Sequence, residues 1–143
     1  MSDYSISTDK TKLQLDVVYN YLSVESYWAK NIPLETVKKS IEGSLCFGVY
    51  FKDKQVGFAR VISDYATFAY LADVFILEPH RGKGLSKKLM VEIMKHPKLQ
   101  GLRRFSLATR DAHSLYAQFG FKPLAKPESI MEIKFDNFYL PKN

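Results

Sequence analysis

Gly82 and Gly84, spaced one residue apart and interleaved with Arg81 and Lys83, are the residues of this 143-residue chain whose types and spacing point most directly to chemistry. An apolar run, Phe68 to Leu77, precedes them, and Glu78-Pro79-His80 ends it because proline cannot donate to a sheet ladder. Behind them, Leu85, Leu89, Met90, Ile93 and Met94 recur at helical spacing as far as Pro97. A strand, a glycine turn and a helix in that order make a pyrophosphate cradle. Glycines let the backbone bend tightly and approach a ligand. The first-turn amides around Gly84, Leu85 and Ser86 have no intrahelical acceptor and point toward an anion. Arg81 and Lys83 add positive charge at the rim. A Walker loop is excluded, because Gly-Lys-Ser/Thr after a four-residue gap is missing, and so is the Gly-x-Gly-x-x-Gly of dinucleotide sites. An ordinary turn opening a helix remains the alternative at this point.

Other reactive types are few. Asp73 is the one charge in the run Phe68–Leu77, and a carboxylate there is costly unless paired or used. It can take a proton, bind a cationic substrate, or hold backbone or Arg60 in place. Arg60 sits between Ala59 and Val61, facing either Asp73 or an acidic substrate group. Cys46, the single cysteine, lies in an apolar run and reads as a packed small hydrophobe, with no disulfide available. His80, His96 and His113 are scattered and give no zinc pattern. His80 adjoins the loop, His113 opens a short helix as a weak candidate base, and His96 reads as surface.

Stepping outward, the elements that must position these groups can be read from periodicity. Tyr4, Ile6 and Thr8 alternate as a first strand. Leu13, Val17, Val18, Tyr21 and Leu22 fall on a helix face. Tyr27 to Ile32 is an aromatic-rich connection without a period. Pro33 opens a helix over Leu34–Ile41, closed by Gly43. Leu45–Phe51 and Gln55–Ser63 form a hairpin about Lys52-Asp53-Lys54. Phe68–Leu77 reads as a central strand covered on both faces. Phe105–Thr109 follows as a strand, Ala112–Phe119 as a helix ended by Gly120, and Ile130, Ile133 and Phe135 predict a last strand. The expected fold is α/β: one domain over residues 1–143, with a mixed, mostly antiparallel sheet flanked by helices. The helix between Phe68–Leu77 and Phe105–Thr109 implies a crossover between parallel neighbours.

Composition narrows the classes further. The net charge is +6, from 21 basic and 15 acidic side chains. The basic residues are spread along the chain without a tail or arginine-rich run, so a nucleic-acid module is not indicated. A small phosphorylated ligand suits this spread at least as well. No apolar run approaches the length of a membrane span, and MSDYSISTDK lacks the pattern of a signal peptide, so the expected location is the cytoplasm.

Taken together, the strand, the loop Arg81-Gly82-Lys83-Gly84-Leu85-Ser86, its helix and the later Tyr116-Ala117-Gln118-Phe119-Gly120-Phe121 resemble the GCN5-related N-acetyltransferase (GNAT) family. The segment Leu107 to His113 leads into the second motif as in many bacterial members. The likeness is specific over about Phe68 to Phe121. Ser86 stands where the family has Gly or Ala, a small residue that preserves close approach. The resemblance implies acetyl-CoA as cosubstrate, no metal, and direct transfer of the acetyl group to a primary amine, expected to be a small molecule. It implies that the strands matching Phe68–Leu77 and Phe105–Thr109 splay apart. Backbone groups of Val74, Phe75 and Ile76 then hold the pantetheine arm, and loop amides from Arg81 to Ser86 hold the pyrophosphate. Tyr116 is the implied general acid toward the leaving thiolate, with Asp73 as a second catalytic candidate. Tyr27, Trp28 and Arg60 are candidates for the acceptor side. A protein amino group as acceptor, or a binding protein without turnover, are the alternatives. Family members of this size are often dimers, so a homodimer is one assembly open to this chain, and Ile130-Met131-Glu132-Ile133 can serve either core or interface.

Overall fold

Alternating apolar residues on three consecutive strands and two amphipathic helix pairs build the sheet and both of its covers. The computed structural model describes residues 2–136 and 138–139. The strands are β1 (Tyr4–Ser7), β2 (Leu45–Phe51), β3 (Lys54–Ser63), β4 (Phe68–Ile76) and β5 (Arg104–Leu107). They lie side by side in chain order, β1 to β4 antiparallel and β4–β5 parallel. The helices are α1 (Leu15–Asn20), continued as a wider turn over Tyr21–Glu25, α2 (Leu34–Glu42), α3 (Leu85–Lys95) and α4 (His113–Ala117). The crossover through α3 connects the parallel pair as expected.

Two apolar clusters cover the sheet. Phe47, Val61, Leu71, Leu89, Met90 and Ile93 pack on the α3 side. Val18, Leu22, Val37, Cys46, Phe58 and Phe75 pack under α1 and α2. Cys46 is buried as expected, and the apolar surroundings push its thiol up to about 11. The α1 start is tied to the β2–β3 hairpin by a reciprocal pair. The Gln14 amide donates to Gln55 Oε1 at 2.7 Å and the Gln55 amide to Gln14 Oε1 at 3.1 Å. Gln55 is buried with these bonds made, as a polar group must be.

Three expectations need correction. β4 is not covered on both faces throughout: Tyr70 and Ala72 remain part-exposed on the face where its C-terminal half meets α1. β5 ends at Leu107, so Ala108 and Thr109 lie outside the sheet. The last strand does not form. Residues 130–135 carry no ladder among the described residues, and Met131, Ile133 and Phe135 are 92%, 86% and 70% exposed. Their alternating pattern is that of a strand, but a strand needs a neighbour to take its backbone groups.

The decisive irregularity is in β4. Phe58 pairs with Phe75, but Arg60 pairs with Ala72, so Ala59 alone opposes Asp73 and Val74. This one-residue bulge places Asp73 at φ 54°, a left-handed conformation that Asp and Asn tolerate better than other side chains. The bulge reverses the alternation, so Leu71 and Ile76 both reach the α3 cluster while Phe75 faces α1.

Close packing next to the bulge depends on Gly57. A β-carbon there would come within 2.7 Å of Ile76 Cδ1 and 3.0 Å of both the Phe75 carbonyl oxygen and Val49 Cβ. Because backbone and a β-carbon cannot retreat, Gly57→Ala is expected to cost about 1–3 kcal/mol. Chemical denaturation measures this, and an unchanged midpoint would show that the strands give way freely.

Candidate functional site

The parallel ladder of β4 and β5 joins only Phe68–Leu71 to Arg104–Leu107. Beyond Leu71 and Leu107 no pairing between them continues, and the strands diverge toward their C-terminal ends. This is the expected splay, and two adjoining cavities of about 520 Å³ each fill it. One lies against Tyr70, Ala72, Asp73, Leu107 and Thr109. Its neighbour extends along Phe75 and Ile76 to Arg81 and Ser86. Tyr27, Trp28, Val74, Arg110 and Tyr116 border both.

The glycine loop closes the second cavity. Gly82 and Gly84 take φ 77° and 75°, conformations that strain any other residue, and Gly84 caps α3 in the left-handed region. The residues opening α3 border a third space of about 260 Å³, lined by Gly82, Gly84, Ser86 and Lys87. Arg81 is exposed on the border of the cavity and is also tied to the protein: Nε donates to the Ile76 carbonyl at 2.8 Å and a terminal nitrogen to the Tyr21 hydroxyl at 3.2 Å. The Tyr21 ring in turn stacks on Phe75 at 4.0 Å between centroids and 9° between planes. Arg81 thereby pins the loop to the end of β4 while its charge still borders the cavity. His80 is held by the Tyr4 hydroxyl at 2.8 Å on Nδ1, which anchors the same loop to β1.

Of the backbone positions expected to face a ligand, the Ile76 carbonyl accepts from Arg81. Val74 and Phe75 lie beyond the last β4–β5 pair, on the length of β4 whose outer edge borders the cavity.

Tyr116 stands where the two cavities meet. Thr109 Oγ1 accepts from the Ala112 amide at 3.0 Å and so fixes the start of α4. One turn on, Tyr116 projects into the α3-side cluster with 8% of its surface exposed. The residue lines both cavities. Burial, and then the neighbouring Tyr27 and Asp111, push its phenol above the ordinary tyrosine value, so the group keeps its proton.

The aromatic connection crosses the mouth of the splay. Arg110 stacks over the Tyr27 ring at 3.8 Å, and its amide donates to the Tyr27 hydroxyl at 3.3 Å. Tyr27 meets Trp28 edge to face at 5.0 Å. The Trp28 indole N–H donates to Asp73 Oδ1 at 2.7 Å, and Arg60 Nε donates to Asp73 Oδ2 at 2.5 Å. Arg60 also donates to Ser44 Oγ at 3.1 Å. Tyr27, Trp28, Arg60 and Asp73 are therefore one connected assembly, with Arg60 behind the cavity wall.

His96 and His113 border neither main cavity. The sequence reading missed Tyr21, Tyr70 and Arg110. Tyr21 had been assigned to a helix face only. Arg110 is one charge among 21 basic side chains, and only the fold sets it opposite Tyr27. Among the described residues no group of three or more His, Cys, Asp or Glu is placed to hold a metal, and no helix is long and apolar enough to cross a membrane.

Comparison with known proteins agrees with this geometry. A GNAT-family protein from Xanthomonas campestris pv. campestris has a crystal structure that superposes with a TM-score of 0.95 at 54% identity, covering 96% of this chain and 97% of that one. A Gibberella zeae protein that carries the name of an acetyltransferase is 35% identical over 138 residues, 81% of this chain and 77% of its own. A protein from Clostridium acetobutylicum, predicted as an acetyltransferase and crystallised with acetyl-CoA, shares the fold at 11% identity, with a TM-score of 0.65 over 94% and 96% of the two chains. Residues 15–121 match the model of the Acetyltransferase (GNAT) family, and the chain belongs to that family.

Proposed function

We propose that the protein transfers an acetyl group from acetyl-CoA directly to the primary amine of a small molecule, in the cytoplasm. The observation that carries this reading is the place of Tyr116, at the border of a cavity that leads to the glycine loop and a cavity that does not. Acetyl-CoA supplies the thioester: the neutral amine's nitrogen bonds the acyl carbon as the carbon–sulfur bond breaks, and the amine's proton leaves to solvent through the open acceptor cavity. The residues present fit the cosubstrate. The amides from Gly82 to Ser86 bind the diphosphate, helped by the α3 dipole. Lys83 adds charge at the rim, and Arg81, Leu85 and the β4 edge at Val74, Phe75 and Ile76 line the approach. Tyr116, protonated by virtue of its burial, donates its proton to the departing sulfur. No enzyme nucleophile is required, and Cys46 is buried in the α1–α2 cluster.

The other cavity takes the amine. Tyr27, Trp28 and Tyr70 give it aromatic walls, which suit the apolar part of a compact acceptor. The test is thiol release from acetyl-CoA against a panel of small amines and lysine peptides. One small amine is expected to give saturable release, and the Tyr116→Phe protein to fold normally and turn over roughly 100-fold more slowly. The alkaline fall in kcat should lie above the ordinary tyrosine range. Equal rates in wild type and variant would remove Tyr116 as the acid, and release only with peptides would remove the small acceptor.

The same reading includes a homodimer. Met131, Ile133 and Phe135 form an exposed apolar stretch interrupted by Glu132 and Lys134, a surface that water does not favour leaving open. A second copy pairing along it buries both stretches at once. Light scattering is expected to give twice the chain mass for wild type and the single mass for Ile133→Lys. A wild-type monomer at working concentration would contradict this.

A further inference from the structure

Asp73 is the one titratable group on the acceptor-cavity wall whose two oxygens are both engaged by protein donors. Oδ1 accepts from Trp28 and Oδ2 from Arg60, at 2.7 and 2.5 Å. Its side chain is 9% exposed, and that of Arg60 18%. Arg60 is itself held by Ser44, whose hydroxyl donates to the Ser40 carbonyl at 2.6 Å. The chain of bonds thus runs from α2 through β3 and the β4 bulge to the indole of Trp28. A general base needs a lone pair aimed at the amine. The Asp73 carboxylate is instead turned toward protein donors, the Trp28 indole on one oxygen and the Arg60 guanidinium on the other.

We infer that Asp73 is a positioning residue that fixes Trp28 as the wall of the acceptor cavity, and that it does not take the proton of the amine. The inference rests on the acetyl-transfer reading for its kinetic part only. The bulge explains why an acid stands at this position. A left-handed φ of 54° suits Asp, and the same turn aims its carboxylate between β3 and the connection that carries Trp28. The backbone of the connection is held by its own bonds and by buried Ala29 and Ile32, so Asp73 acts on the Trp28 side chain rather than on the chain path. Arg110 holds Tyr27, the Ser26 hydroxyl accepts from the Ala29 amide at 3.0 Å, and Asp73 alone bonds the Trp28 side chain among the described residues. Trp28 is 41% exposed and otherwise rests on ring contacts with Tyr27 and Tyr21, so the Asp73 bond is what fixes the direction of its indole N–H. The other charged groups on this cavity are Arg110 and Asp111, at the opposite rim.

Asp73→Asn separates the two roles. An amide keeps the size and tolerates the same φ, so the bulge survives. It offers one acceptor oxygen where the carboxylate offers two. The charged Arg60 takes that oxygen, and Trp28 loses its partner. Trp28 is the single tryptophan of the chain, so its fluorescence reports the wall directly and needs no substrate. In Asp73→Asn the emission is expected to shift to the red and the anisotropy to fall. With an amine found by thiol release, KM for that amine should rise roughly tenfold, the worth of one lost hydrogen bond to a charged group. Trp28→Phe should raise it similarly, and the double variant no further. The acid limb of the pH profile should stay in place. Unchanged fluorescence in Asp73→Asn overturns the inference. A loss of the acid limb with kcat down roughly 100-fold or more and Trp28 undisturbed would make Asp73 the base instead. If no amine is turned over by the wild type, the acetyl-transfer reading fails, while the fluorescence still decides whether Asp73 holds Trp28.

Discussion

Everything in this molecule that bears on chemistry follows from a ladder that stops. β4 and β5 share four pairs of residues and then part, which leaves a length of β4 backbone without its neighbour in the middle of a sheet. Unpaired backbone inside a protein is expensive unless water or a ligand answers it. The fold accepts this cost over the C-terminal half of β4. It places the amides of the α3 N-terminus at one end of the gap and Tyr116 at its centre. An extended ligand with polar groups along its arm and phosphates at its end would repair what the sheet leaves open.

Holding such a gap in shape requires supports on either side. At the loop end, Arg81 links the Ile76 carbonyl to Tyr21, and Tyr21 stacks on Phe75. At the open end, Arg60, Asp73 and Trp28 do the same for the bulge. Both supports use an arginine: Arg60 is paired with Asp73, and Arg81 is exposed but bonded to the Ile76 carbonyl and the Tyr21 hydroxyl. The chain is basic overall, yet the charges nearest the cavities are spent on architecture as much as on attraction. Tyr27 and Arg110 then bridge the connection after α1 to the one before α4, so the mouth is framed by segments far apart in sequence.

Much of this was legible from the residues. The apolar run Phe68–Leu77, the two glycines and the amphipathic repeat after them specify strand, turn and helix by purely local rules, and the structure has them within a residue or two. The splay came from family resemblance, because nothing in Ala108-Thr109-Arg110 says that pairing ends at Leu107. The bulge was invisible for a related reason. A carboxylate in an apolar strand signals an unusual site, but only the register of β3 against β4 shows Ala59 facing two residues. That Arg81 also ties the loop to Ile76 and Tyr21 was not legible, since sequence cannot say which way a long side chain folds. The stretch Ile130–Phe135 has strand periodicity, and the missing element is its neighbour, which periodicity does not supply.

The central claim is that the gap between β4 and β5 receives acetyl-CoA with its sulfur at Tyr116. A crystal structure with coenzyme A bound tests it most directly. The account predicts the diphosphate on the amides from Gly82 to Ser86, the pantetheine arm along Val74 and Phe75, and the sulfur within hydrogen-bond reach of the Tyr116 hydroxyl. A coenzyme bound elsewhere, or a sulfur out of reach of Tyr116, would contradict it.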